Sequence, residues 1–153
     1  MSYKELHSEL SGLLENTIWI SNLANTSALI NAHMPRINWV GFYLVHGNEL
    51  VLGPFQGQPA CLKIPMGKGV CGTAAEKRET VVVPDVHQYP GHIACDSRSN
   101  SEIVVPVVSD GRLIGVLDVD SPDFNRFNQE DRAALETVVR ELVSRTKFPE
   151  ILI

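Results

Sequence analysis

The stretch that decides the fold is Glu102–Asp120, EIVVPVVSDGRLIGVLDVD. Two runs rich in β-branched residues, Glu102–Val108 and Arg112–Asp120, flank Ser109-Asp110-Gly111. Asp-Gly between apolar runs is the turn chemistry of a tight hairpin, because both central residues must reach positive φ. The stretch therefore predicts an antiparallel pair. Pro106 has no N–H to give to a ladder and predicts an edge position or a bulge. In the second run Leu113, Gly115, Leu117 and Val119 alternate with Ile114, Val116, Asp118 and Asp120. Strand side chains alternate faces with period two, so Asp118 and Asp120 are expected on one face. Neighbouring carboxylates repel and are tolerated more readily where a cation, a metal or a proton is bound. The plain alternative is a strand end running out into solvent.

Immediately upstream, and overlapping the first strand, is Pro84–Val105, PDVHQYPGHIACDSRSNSEIVV. It packs a Cys, two His, two Asp and a Glu between apolar runs, the composition of a loop that a scaffold holds for chemistry. Cys95 is its centre. A polar surface loop with a chance cysteine is the competing reading. Further upstream, Thr80–Val83 is a short strand ended by Pro84, and Val70–Lys77 is a short helix carrying Cys71. A cysteine near a helix N-terminus can have its pKa lowered by the dipole, which gives Cys71 a claim to reactivity. The Gly-Lys-Gly of Gly67–Gly69 lacks the spacing of a phosphate loop. CLKIP reads as a strand starting at Cys61, and Pro54–Ala60, PFQGQPA, has loop composition. Ile37–Val45 and Glu49–Gly53 form a hairpin about His46-Gly47-Asn48. Alternation places Trp39, Gly41 and Tyr43 on one face of the first strand and Val40, Phe42 and Leu44 on the other. The second face is core; the first carries two aromatics with polar handles, a combination common in pocket walls.

The ends are helical. Leu6, Leu10, Leu13, Leu14, Ile18, Leu23, Ala28 and Ile30 recur at three- and four-residue spacings, giving two helices, or one with a break, that must stop before Pro35. Asn128 caps a C-terminal helix whose apolar stripe runs from Ala133 to Val143 and continues to about Lys147 before Pro149. Their apolar faces are compatible with a homodimer and equally with covering the sheet. The 153 residues, 44% hydrophobic and 20% charged, fit one α+β domain with a central antiparallel sheet between terminal helices. A net charge of −5 without a basic run argues against nucleic acid or an anionic membrane. No stretch has the length of a signal core or membrane span, so the expected address is the cytoplasm. The three cysteines have neither the close spacing of a zinc site nor a secreted context. In a reducing compartment each is a buried small hydrophobe or a redox or catalytic group.

NWVGFYL, GPFQGQPAC, IPMGKGVCGTAA, VPDVHQYPGHIACDSRSNSEIVVP and GVLDVDSP together resemble the free methionine-(R)-sulfoxide reductases, single-domain enzymes with a GAF fold. The resemblance covers nearly the whole chain, 1–153, and includes all three cysteines. It implies Cys95 as the catalytic thiol, Cys61 as the main resolving thiol and Cys71 as a relay or substitute. Free methionine (R)-sulfoxide is the implied substrate and thioredoxin the external reductant, with no metal or organic cofactor. Glu102 matches the residue that holds the substrate ammonium, and Asp118 a supporting position. Asp120 matches the residue at the sulfoxide oxygen, a role that requires it protonated. Trp39 and Tyr43 resemble the wall for the S-methyl group, and the backbone N–H groups from Ile93 through Ala94 to Cys95 could hold the oxygen. His87 and His92 receive only a loop-holding role. Two other functions are weighed against this one: a non-catalytic, ligand-sensing GAF module, resting on fold analogy alone, and a hydrolase pairing Cys95 with His92 or His87. Acidic surroundings disfavour a thiolate and count against the hydrolase.

Overall fold

The structure, a computed structural model, describes residues 3–15 and 17–153. The chain runs α1 (Lys4–Leu13), α2 (Trp19–His33), β1 (Trp39–His46), β2 (Glu49–Gly57), β3 (Lys63–Pro65), α3 (Gly69–Lys77), β4 (Val81–Val83), a 3₁₀ turn (Val86–Gln88), β5 (Ser101–Ser109), β6 (Arg112–Ser121) and α4 (Gln129–Ser144). The six strands form one sheet in the order β3-β2-β1-β6-β5-β4, and every adjacent pair is antiparallel. The α+β architecture expected from the sequence is thus present.

The hairpin at its centre turns through Asp110 (φ 51°) and Gly111 (φ 76°), the positive-φ pair that Asp-Gly supplies. Pro106 lies past the three residues of β5 that pair with β4, so its missing N–H leaves no gap on that side. A bulge follows between Val107 and Val108, where the register to β6 jumps from Gly115 to Leu113. Ile114 is the extra residue. It joins Leu117 and Val119 in the helix-side core rather than Val116 on the opposite face, which corrects the simple alternation. A bulge inserts one residue and so reverses the phase of all that precede it.

One sheet face is covered by α1, α2 and α4. Val40, Phe42, Leu44, Ile103, Val105, Leu117 and Val119 meet Leu6, Leu10, Leu23, Ile30, Leu135, Val138 and Leu142 there. Each large aliphatic or aromatic chain buried in this layer contributes roughly 1.5–3 kcal/mol. The terminal helices therefore spend their apolar faces on the sheet. The break between α1 and α2 is clasped by Asn22, whose amide pairs with both backbone groups of Glu15 and donates to Thr146 Oγ1 at 2.8 Å. The start of α4 carries a capping box between Asn128 and Asp131. Asp131 also accepts from Tyr3 Oη and, at 3.1 Å, from Arg126 Nη1, in a buried cluster. The helix ends at Ser144, short of the expected Lys147.

The other face carries α3 and the connections before β3 and β5. Here β2 runs to Gly57, through the segment read as loop. A register shift opposite Phe42 accommodates Gly53 and Pro54, so the proline sits at an irregularity and the ladder resumes at Phe55. Conversely, the strand expected to start at Cys61 begins only at Lys63, leaving Cys61 in the connection.

Candidate active site

Cross-strand register builds the floor of the site. Trp39 pairs with Asp120, Asp120 with Glu102, and Glu102 with Val83. The next same-face row runs Gly41, Asp118, Val104. Three carboxyl groups and Trp39 are thereby gathered from segments far apart in sequence, with Tyr43 further along the same face. α3 packs over this floor and brings Cys71. Around them closes a cavity with about 500 Å³ of empty space, part of it open to solvent. Its lining includes Trp39, Tyr43, Cys71, Ile93, Cys95, Glu102, Asp118 and Asp120. Ala94 is exposed and outside that lining. Cys61 is half-buried and bonded to Cys95 across the rim.

Cys61 and Cys95 form a disulfide with their Cα atoms 5.4 Å apart. The two loops that meet there are each anchored. Trp39 and Tyr43 are 2% exposed and stacked on one another, with Phe55 stacked on Trp39. Their polar ends hold the first loop: Trp39 Nε1 donates to the Gln58 carbonyl at 3.1 Å, and Tyr43 Oη to the Cys61 carbonyl at 2.9 Å. The polar handles noted in the sequence thus fix the loop that carries Cys61. The second loop is pinned at its base by Asn100. It accepts from Val86 N through its carbonyl, donates to Ser121 and Pro122 carbonyls, and meets His87 Nε2 at 2.9 Å. Nearer the thiol, Asn38 Nδ2 holds Asp96 Oδ2 and Ser99 Oγ. Gly69 (φ 63°) opens α3 where the Ile93 side chain would lie 3.1 Å from any Cβ, so glycine is needed both for the backbone and for the approach of this loop. The Cys95 N–H turns back onto the Ile93 carbonyl at 3.2 Å, so in the disulfide form it is not free to receive an oxygen.

Charge is concentrated in the cavity. Asp118 is held well above the usual carboxylate range, first by burial and then by Asp120 and Glu102. Asp120 is raised too, by burial and then by Glu102. Both shifts favour the protonated forms of Asp118 and Asp120. Cys71 is also pushed well above the ordinary thiol range, by burial first and then by Asp118 and Glu102. That corrects the lowered value expected from its helix position: desolvation and neighbouring carboxylates outweigh the dipole of a nine-residue helix. At Asp96, on the cavity lining, the sign reverses: Arg98, hydrogen-bonded to it, lowers the Asp96 pKa to about 2.

Two residues reach the cavity without having been assigned to the site from the sequence. Lys68, at the N-cap of α3, is the one lysine or arginine in the lining. His92, read as a loop holder, lines the cavity with Nε2 3.6 Å from Glu102 Oε1. His87 does hold the loop, through Asn100 and against Phe124. The GKGVC segment could have flagged Lys68 as a cation next to a helix start. Nothing local could have placed His92 beside Glu102, because that contact crosses from a loop to a strand.

The family model described as GAF domain matches residues 20–144. The free methionine-R-sulfoxide reductase of Escherichia coli (strain K12) is 49% identical over 141 residues, covering 92% of this chain and 86% of that protein. Among solved structures, fRMsr of Staphylococcus aureus in its reduced form superposes with a TM-score of 0.91 at 52% identity, over 94% of each chain. The free methionine-R-sulfoxide reductase from Neisseria meningitidis, solved in complex with its substrate, gives 0.90 at 49% identity, over 94% of this chain and 87% of that one. With a redox-capable cysteine pair at the rim of an acidic, aromatic-walled cavity, the chain belongs to the GAF domain family and, within it, to the free methionine-R-sulfoxide reductases.

Proposed function

We propose that the chain reduces free methionine (R)-sulfoxide to methionine, with Cys95 as nucleophile. The observation that carries this reading is the Cys61–Cys95 disulfide at the rim of the carboxyl-lined cavity. A free amino acid differs from a peptide residue by its ammonium and carboxylate, and the cavity has complements for both. Glu102 offers negative charge to the ammonium, with Asp118 in support beside it. Lys68 and the positive end of α3 lie where a carboxylate is favoured. The stacked Trp39–Tyr43 pair supplies an apolar wall for the S-methyl group, which leaves the oxygen of one epimer toward Asp120. A protonated Asp120, consistent with its raised pKa, can donate a proton to that oxygen.

The chemistry balances as two thiols against one sulfoxide. Cys95 sulfur attacks the substrate sulfur to form an S–S bond; the oxygen, protonated by Asp120, then passes to the Cys95 sulfur as the S–S bond and the substrate S–O bond break, so methionine leaves and Cys95 carries the sulfenic acid. Cys61 then condenses with it, forming the disulfide and releasing water. A dithiol of the thioredoxin class returns both cysteines to thiols by exchange, and Cys71 relays or substitutes. No metal or organic cofactor enters these steps. Because the disulfide must be re-reduced at every turnover, a reducing compartment such as the cytoplasm suits the cycle. Pairing into a homodimer is supported only by exposed Leu13, Ile18 and Ile20 where α1 and α2 meet, and sedimentation tests it.

The deciding experiment is thioredoxin-coupled turnover of the two sulfoxide epimers. The R epimer is consumed, Cys95→Ser abolishes the activity, and mass spectrometry after one equivalent finds the Cys61–Cys95 bond. Full activity in Cys95→Ser, or equal turnover of the S epimer, overturns the proposal.

A further inference from the structure

Beneath the disulfide, at the buried end of the cavity, Cys71, Glu102 and Asp118 each bring a ligand atom within 4.8 Å of the other two. All three residues are buried, between 4 and 6% exposed. Asp118 Oδ1 has no hydrogen-bond partner among the described residues. An unmatched buried acceptor is costly, roughly 1–3 kcal/mol and more for a charged group, and this one lines an accessible cavity. The contact that does exist is long: Cys71 Sγ stands 4.0 Å from Glu102 Oε2. The other oxygen of Glu102 faces His92 Nε2 at 3.6 Å, longer than a direct hydrogen bond but close enough for the imidazole to bias the carboxylate once a metal draws on it.

We infer that Cys71, Glu102 and Asp118 form a site for one divalent cation of borderline softness, of which zinc is the type, with His92 as the positioning residue behind Glu102. One thiolate with two carboxylates does not suit magnesium or calcium, which take oxygen ligands throughout. Tetrahedral zinc with Zn–S near 2.3 Å and Zn–O near 2.1 Å sets sulfur and oxygen about 3.6 Å apart. The 4.0 Å between Cys71 and Glu102 needs a few tenths of an ångström of closure, and the widest separation in the trio, within 4.8 Å, needs up to roughly an ångström, which side-chain torsions can supply. Three protein ligands leave the fourth position open to the cavity, for water. Binding is an acid–base exchange without redox change: the Cys71 thiol gives its proton to solvent and its sulfur takes the metal, as do any protonated carboxyl groups.

The disulfide form isolates this site. With Cys61 and Cys95 bonded, Cys71 is the one thiol left. Zinc bound by the oxidised protein through sulfur must therefore be bound here. A cation at this position also occupies the place proposed for the substrate ammonium, so it excludes substrate. That consequence rests on the reductase reading; the site does not.

The test uses oxidised, metal-free protein and no turnover. Titration with zinc chloride in two buffers of different ionisation heat is expected to saturate at one ion per chain with proton release. Cobalt(II) is expected to give a thiolate charge-transfer band. Cys71→Ser removes the band and weakens zinc by more than the roughly 10- to 100-fold that an outer partner is worth, while His92→Ala keeps the band and loses roughly that 10- to 100-fold. Asp118→Asn, close in volume, weakens zinc while its far-ultraviolet circular dichroism stays that of the parent. The inference is overturned if the oxidised protein binds no zinc, if cobalt binds without the band, or if Cys71→Ser binds as the parent does.

Discussion

Reduction of the Cys61–Cys95 bond should destabilise the protein by an amount that follows from chain topology. The half-cystines are 34 residues apart. Cross-linking a loop of that length removes about 13 cal/mol/K of entropy from the unfolded chain, or about 3.8 kcal/mol at 25 °C. The folded side changes little, because Tyr43 Oη holds the Cys61 carbonyl and Asn38 holds Asp96 beside Cys95 whether or not the bond is present. The 5.4 Å Cα separation lies within the range that a disulfide prefers, so backbone distortion offsets little of the gain. For a chain of this size each kcal/mol is worth about 2–4 °C. The oxidised protein should therefore melt about 8–15 °C above the same protein in a phosphine reductant. Scanning calorimetry of both forms measures the gap. Cys61→Ser should melt with the reduced parent and be indifferent to reductant, and Cys71→Ser should retain the full gap. A gap under about 2 °C, or one that survives in Cys61→Ser, would refute the assignment of the stabilisation to this loop.

Asp118 and Asp120 titrate above their ordinary values, so the stability they confer is complete below the unfolded carboxylate range and is lost as pH rises through their folded values. Urea midpoints should fall with rising pH over that interval, and Asp118→Asn should flatten the fall; a steeper dependence in the variant contradicts the carboxyl cluster. Asp131→Ala should cost about 3–5 kcal/mol in urea unfolding, because it leaves buried Arg126 without its carboxylate and undoes the cap of α4; a cost under about 1 kcal/mol would show the cluster to be idle. Tyr43→Phe should cost only about 0.5–1.5 kcal/mol yet slow re-formation of the disulfide after reduction, since the Cys61 loop loses its tether. Closure at the parental rate in a thiol-trapping time course would remove Tyr43 from that role.

Much of this was legible in the sequence because the signals are local. The Asp110-Gly111 turn, the two faces of Trp39–Leu44 and the Asn128 cap each depend on residues within a few positions of one another. Backbone sterics and side-chain period decide them without reference to the rest of the chain. The shared face of Asp118 and Asp120 was readable for the same reason, and it survives because the β6 bulge at Ile114 lies before them. The bulge itself was not readable, nor was the continuation of β2 through Pro54, because an apolar or turn-forming composition does not say which partner strand will tolerate an irregularity. The candidate nucleophile, its partner thiol and the carboxyls were visible as residues, and through family resemblance as a set. Their proximity was not visible in spacing.

The sequence by itself determined the order of helices and strands, the hairpin at the centre and, away from the bulge at Ile114, which side chains each strand turns to either face, since all are properties of short stretches. Only the tertiary structure decided that the two carboxylates do not end in solvent. The order β1-β6-β5 sets Trp39, Asp120 and Glu102 in one row. α3 then closes over that row, and burial raises the carboxyls and Cys71 together. Desolvation depends on what every other element covers, and no window of sequence contains that information.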